Sequence, residues 1–219
     1  MTRNEEAKEA ILQRVGQALN GGGVRAPRKH PITDQHYAGR PQTDLDLVSS
    51  FQEKLESVGG KVIRAQNLEQ AFNELWSICQ ERGIRNLACS DAPSFRDLTD
   101  QAPEGLEILD FPHEQAELLE AEAGLSEAQL GIAETGTLVL DGEQENHRLT
   151  SLVPPVHIAF LSSKNIVLHL GEALSRAQQA RSFPRTLTFI TGPSRTADIE
   201  LTLVVGVHGP RELVVFLLP

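Results

Sequence analysis

Two short segments of this chain concentrate side chains able to do chemistry. Thr191-Gly192-Pro193-Ser194-Arg195-Thr196-Ala197-Asp198-Ile199-Glu200 brings Ser194, Arg195, Thr196, Asp198 and Glu200 close together after Gly192. It follows an apolar run, Leu187 to Thr191, that reads as a strand. A loop leaving the carboxyl end of a sheet strand is where open α/β folds bind ligands. Hydroxyls, free backbone N–H groups and one guanidinium together suit a phosphate or a carboxylate. Asp198 and Glu200 could instead grip a hydroxyl or orient Arg195. The same residue types also build an ordinary turn followed by a helix cap, so both readings stay open. A P-loop is excluded, because the Gly-Lys-Ser/Thr ending is missing.

The second segment is Glu134-Thr135-Gly136-Thr137, set between two apolar runs. Gly136 would allow a backbone conformation or a close approach that a side chain forbids. A buried Glu134 would need a partner, and could act as a general base or a nucleophile. A solvent-facing hairpin tip with an idle Glu134 is the alternative. His157, after Pro154-Pro155-Val156, and His208, before Gly209-Pro210, add two groups able to transfer a proton or contact an anion. A lone His is also a common hydrogen-bonded structural residue. These readings give Glu134, His157 and His208 as candidate catalytic residues. Thr135, Gly136, Thr137, Gly192, Ser194, Arg195, Thr196, Asp198 and Glu200 are the candidate ligand-binding residues. No His pair has helical metal-site spacing, so no metal centre is expected. Ser151 and Ser194 lack the Gly-x-Ser-x-Gly elbow of serine hydrolases.

The chain must position these groups with 219 residues, 40% of them hydrophobic, enough for a full core. A net charge of -10 and 5% aromatic content argue against nucleic-acid binding. Cys79 and Cys89 are the two cysteines and form no C-x-x-C pair; two small buried hydrophobes are expected. The amino terminus has no apolar signal core, and no apolar run is of membrane-spanning length, so a cytoplasmic protein is expected.

Periodicity predicts a first helix over Thr2 to Leu19, then a Gly-, Pro- and Arg-rich tether to Thr43. Residues 1–43 thus read as a helix and flexible tether, and 44–219 as the main domain. In that domain Asp44 to Val58 reads as a helix, Lys61 to Arg64 as a strand, and Asn67 to Arg82 as a helix with Leu68, Ala71, Phe72, Leu75 and Cys79 inward. Gly83 is its expected left-handed cap. Strands follow at Asn86 to Ser90 and Leu106 to Asp110, then a short acidic helix over His113 to Ala123. Two strands joined at Glu134-Thr135-Gly136, Leu125 to Ala133 and Thr137 to Asp141, come next. Val156 to Ser162, Arg185 to Thr191, Leu201 to Val207 and Glu212 to Leu218 are further strands, with a helix at Gly171 to Ser182. The strand–helix–strand rhythm predicts a three-layer α/β/α fold on a mainly parallel sheet.

Three segments in this order, Gly131-Ile-Ala-Glu-Thr-Gly-Thr-Leu-Val-Leu140, Leu152-Val-Pro-Pro-Val-His-Ile158, and Ile190 to Glu200 running on to Gly206-Val-His-Gly-Pro210, carry a resemblance. The chain resembles the lactate-utilisation (LUD) domain family, in particular its short members of the LutC/YkgG type. The resemblance implies a fold like that of glucosamine-phosphate isomerases, ribose-phosphate isomerases and CoA transferases. It also implies work beside two iron–sulfur partners of the LutA/LutB type in oxidising L-lactate to pyruvate. With that role this chain binds no cofactor itself, the iron–sulfur clusters belong to the partners, and the ligand is a small carboxylate or a phosphorylated molecule. Arg195 would hold the carboxylate, and His157 or His208 would contact the lactate hydroxyl. A stand-alone isomerase or CoA transferase using Glu134, or a non-catalytic acid-sensing or scaffold module, are the alternatives.

Overall fold

The computed structural model describes residues 3–21, 46–96, 98–109, 115–142, 148–179, 186–196, 204–205 and 209–219. The chain divides into two units, Met1–Gly39 and Arg40–Pro219. The first contains helix α1 (Arg3–Gly21). All the elements that follow belong to the second.

The second unit opens on α2 (Leu47–Ser57), which begins three residues later than its sequence pattern suggests. The reason is Asp46, whose side chain accepts from the backbone N–H groups of Val48 and Ser49 at 3.1 and 3.2 Å. Such a cap satisfies donors that the first helical turn leaves without partners. Strand β1 (Lys61–Arg64) and helix α3 (Leu68–Arg82) follow. Asn67 caps α3 by accepting from Gln70 N–H at 2.8 Å, and Gly83 ends it in the left-handed conformation at φ 66°. The inward face carries Ala71, Phe72, Leu75, Ile78 and Cys79, whereas Leu68, expected there, is 36% exposed.

Strands β2 (Asn86–Cys89) and β3 (Glu107–Leu109), helix α4 (Gln115–Glu120) and strand β4 (Ala123–Ala128) come next. The expected strand from Leu125 to Ala133 is in fact two. It leaves the main sheet after β4 and re-enters a second sheet as β5 (Leu130–Ile132). Gln129 sits at the crossing. Its amide donates to Glu127 O at 2.7 Å and accepts from Asp141 N–H at 2.6 Å, supplying partners where the ladder breaks. Then follow β6 (Thr137–Asp141), β7 (Val156–Ser162), β8 (Ile166–Val167), α5 (Leu170–Gln179), β9 (Leu187–Ile190), β10 (Arg195–Thr196), β11 (Val204–Val205) and β12 (Glu212–Leu218).

The main sheet has the order β1-β12-β7-β4-β2-β3, with every pairing parallel. Parallel strands buried on both faces need apolar side chains at successive positions, and β7 and β12 have them. On one face Ile158, Phe160, Val214 and Phe216 pack with Phe72, Leu75 and Cys79 of α3. Phe160 is the hub there, with ring centroids 5.1 Å from Phe216 and 5.5 Å from both Phe72 and Phe95. Burial pushes the Cys79 thiol up to about 11, so it stays an inert thiol in this core. On the other face Ala159, Leu161, Val215 and Leu217 meet Phe51 and Leu55 of α2 and Leu138 and Leu140 of the second sheet. That sheet runs β8-β5-β6-β9 and is mixed, and α5 packs on its far side through Ala173. The fold is therefore α/β with a mainly parallel sheet flanked by helices, and part of one flanking layer is itself a sheet.

A histidine-floored pocket as the candidate functional site

His157 is the second residue of β7 and pairs in register with Gly124 of β4 and Leu213 of β12. Alternation along the strand gives it the face shared by Ala159 and Leu161. Ser126 lies on the same face of β4, two residues beyond Gly124. Its Oγ is 2.7 Å from His157 Nε2. Both side chains are fully buried. Gly124 makes room for this pair's roof: a Cβ there would lie 1.9 Å from Thr150 O, in the helical turn Arg148–Ser151.

Beside this pair lies a cavity of about 200 Å³. It is lined by Ser151 and Leu152, by the segment Phe189 to Gly192 with Ser194, by Gly209 and Pro210, and by His157 and Leu213. No charged side chain is among the described residues that line it. Desolvation drives the His157 pKa down from 6.5 to about 3. The imidazole is thus neutral near pH 7, a hydrogen-bonding group rather than a cation. With Nε2 engaged by Ser126, Nδ1 is buried and has no partner among the described residues. Two larger depressions, of about 280 Å³ beside Glu127 and Arg176 and of about 300 Å³ beside Trp76 and Arg85, have no such orphaned atom among the described residues of their linings. The smaller cavity is the better candidate for that reason.

The Glu134 to Thr137 turn reaches the cavity indirectly. Thr135 and Thr137 hydroxyls are 2.6 Å apart, and Thr137 is 2.7 Å from the hydroxyl of Thr191 on the cavity wall. Gly136 has φ 65°, and a Cβ there would lie 2.3 Å from Leu55 N of α2. Glu134 itself is exposed, so a buried carboxylate at this turn is ruled out. The hairpin tip points it away from the packed interior, and it is not among the lining residues of the cavity.

Ser194 lines the cavity and donates its N–H to Pro210 O at 2.8 Å. Arg195 turns elsewhere. Its Nη2 donates to Val58 O at 2.6 Å, over Gly59, whose added Cβ would meet the same nitrogen at 2.6 Å. A cation at a helix carboxyl end satisfies a carbonyl and opposes the helix dipole. Arg195→Met is expected to lower stability by about 0.5–1.5 kcal/mol, read as a shift of the urea midpoint. Thr196 belongs to β10, paired antiparallel with β11. Asp198, Glu200 and His208 lie outside the described residues. The cavity also sits at the amino ends of β7 and β12, not at a carboxyl end of the main sheet, because the loop after β9 leaves the second sheet. Ser126 does not stand out in the sequence; its one signal is a hydroxyl inside an otherwise buried strand. Among the described residues, no cluster of His, Cys, Asp or Glu could hold a metal ion, and no helix is long and apolar enough to cross a membrane.

The fold and cavity together define an α/β domain with a small cavity lined by a buried imidazole. Residues 48–218 match the LUD domain, and the chain belongs to the LUD domain family. It is 28% identical over 222 residues to lactate utilization protein C of Halalkalibacterium halodurans, covering 95% of this chain and 94% of that one. It is likewise 28% identical over 211 residues to lactate utilization protein C of Deinococcus radiodurans, covering 95% and 93%. An uncharacterised protein of Neisseria meningitidis is 44% identical over 95 residues, 43% of this chain and 41% of that one. The crystal structure of a DUF162 family protein from Deinococcus radiodurans shares the fold with a TM-score of 0.59 at 23% identity, over 79% of this chain and 96% of that one.

Proposed function

We propose that this chain serves lactate utilisation, as a substrate-handling subunit of an iron–sulfur-dependent cytoplasmic system that oxidises L-lactate to pyruvate. The observation that carries this reading is the end-to-end likeness to proteins named lactate utilization protein C, which spans 95% of this chain in the Halalkalibacterium protein. The cavity supports it. A volume of about 200 Å³ lies below the range usual for drug-sized ligands and suits a three-carbon acid. Its hydroxyls and its neutral imidazole are groups that hold a hydroxy or oxo acid by hydrogen bonds.

Oxidation of lactate to pyruvate releases two electrons and two protons. Iron–sulfur clusters are ordinarily held by several cysteine thiolates, and both cysteines of this chain are buried in the core. On this reading the electrons pass to iron–sulfur partner proteins of the LutA/LutB type, while this chain binds and orients the acid. Deleting the gene is expected to abolish growth on L-lactate as sole carbon source and to leave growth on pyruvate intact. Undiminished growth on L-lactate would overturn the reading.

A further inference from the structure

Which proton the buried imidazole carries decides what the pocket can bind. Nε2 and Ser126 Oγ share one hydrogen bond, and two arrangements make it. In the first, Nε2–H donates to Ser126. The Ser126 hydroxyl proton then needs an acceptor of its own, and Nδ1 is left as a bare lone pair. In the second, the Ser126 hydroxyl donates to Nε2. Its proton is then used, and only Nδ1–H is left over. The first arrangement strands two buried groups and the second strands one. A buried polar group without a partner carries most of its desolvation cost, so the second arrangement is favoured.

We propose that Ser126 holds His157 in the Nδ1–H tautomer, so that the pocket presents a neutral N–H donor and takes small acids through an acceptor oxygen, a carboxylate or a 2-oxo group. Ser126 is a positioning residue; it acts on the ligand through His157. Thr191 and Ser194 also line the cavity, and the Thr191 hydroxyl keeps its proton for a ligand when it accepts from Thr137. A donor set without a cation accepts an acid by hydrogen bonding, most strongly at the buried imidazole, where the surroundings are least like water. The same geometry discriminates against ligands that offer only N–H groups, because two donors face each other. The acid class rests on the proposed role in lactate utilisation, whereas the tautomer rests on the Ser126–His157 geometry alone.

Long-range 1H–15N correlation spectra of the uniformly labelled full chain test both parts, with His157 assigned through its backbone connectivity. The expected wild-type pattern is a protonated Nδ1 and an unprotonated Nε2; a protonated Nε2 would overturn the assignment. Adding millimolar pyruvate or acetate is expected to shift His157 Nδ1, and ethylammonium, which has donors alone, is expected to leave it unmoved. No shift with either acid, or a shift with ethylammonium alone, overturns the acceptor-oxygen claim. Ser126→Ala should populate both tautomers and weaken pyruvate binding by about tenfold, and Ser126→Thr should restore the single tautomer. Binding and tautomer unchanged in Ser126→Ala would remove Ser126 from the site. A confirmed tautomer with acid binding, in a protein whose gene is dispensable for growth on L-lactate, would sink the lactate role and leave this inference standing.

Discussion

Gly136→Ala is expected to lower the unfolding free energy by about 3 kcal/mol or more, a large part of the 5–15 kcal/mol typical of a domain. Two costs add. The left-handed backbone at φ 65° disfavours any residue with a Cβ by about 1–2 kcal/mol. The new methyl would also lie 2.3 Å from Leu55 N and 2.7 Å from Leu55 Cα, so backbone of α2 rather than a flexible side chain must yield. Overpacking of that kind costs about 1–3 kcal/mol. Gly83 separates the two, because it has nearly the same φ, 66°, with nothing within 4 Å of an added Cβ. Gly83→Ala is expected to cost about 1 kcal/mol, the conformational part alone. Urea unfolding of both variants checks this, with the midpoint falling and the slope unchanged. Equal costs at the two positions would mean that the contact with α2 is not rigid. The effect reaches the pocket too. Gly136 lies between Thr135 and Thr137, and a displaced turn breaks the hydroxyl chain to Thr191 on the cavity wall.

The parts of this fold that short-range chemistry dictates can be read from the sequence. Asn67 and Gly83 bracket α3 because a side-chain acceptor and a left-handed residue are local needs. The apolar runs of β7 and β12 are legible because both faces of a parallel strand are buried. The break at Gln129 is hidden differently: Glu127 and Gln129 interrupt the apolar pattern between β4 and β5, but polar residues in a run of this length fit the solvent face of one strand as well as a change of sheet. Long-range partners are hidden more deeply. Val58, 137 positions from Arg195, takes the guanidinium that composition alone would aim at a ligand. Ser126 meets His157 only through the register of β4 on β7, in which Gly124 lies opposite the imidazole. A sequence offers residue types, but a site of this sort is made by strand order and register. Thr191, Gly192 and Ser194 are legible as one segment because they are adjacent in the chain. Their place in one cavity with His157 is not.

The acid limb of the stability curve should carry the signature of His157. Its pKa falls from 6.5 when unfolded to about 3 in the fold, through burial. Above pH 6.5 the imidazole is neutral in both states and adds no pH dependence. Below it the unfolded chain binds a proton that the folded one refuses, so stability falls with pH, by roughly 1.4 kcal/mol per pH unit, until the folded pKa is reached. Among the described residues, those paired with His157 or bonded to it, Gly124, Leu213 and Ser126, and those that line the same cavity carry no group that titrates in this range. Glu122, whose carboxylate is held below its usual 4.5 chiefly by the Arg85 backbone N–H, loses its contribution only further into acid. The interval from pH 6.5 to 4.5 thus separates the histidine from Glu122, and wild type should lose about 2 kcal/mol across it relative to His157→Gln. Parallel stability curves for the two proteins would show that solvent or a charged group reaches the ring. Direct titration of the His157 ring nitrogens in wild type decides the same point without any variant: they should stay in the neutral form down to about pH 4. A ring protonated at about pH 6 would make His157 a proton carrier instead, and the pocket would then hold an acid by charge rather than by a neutral donor.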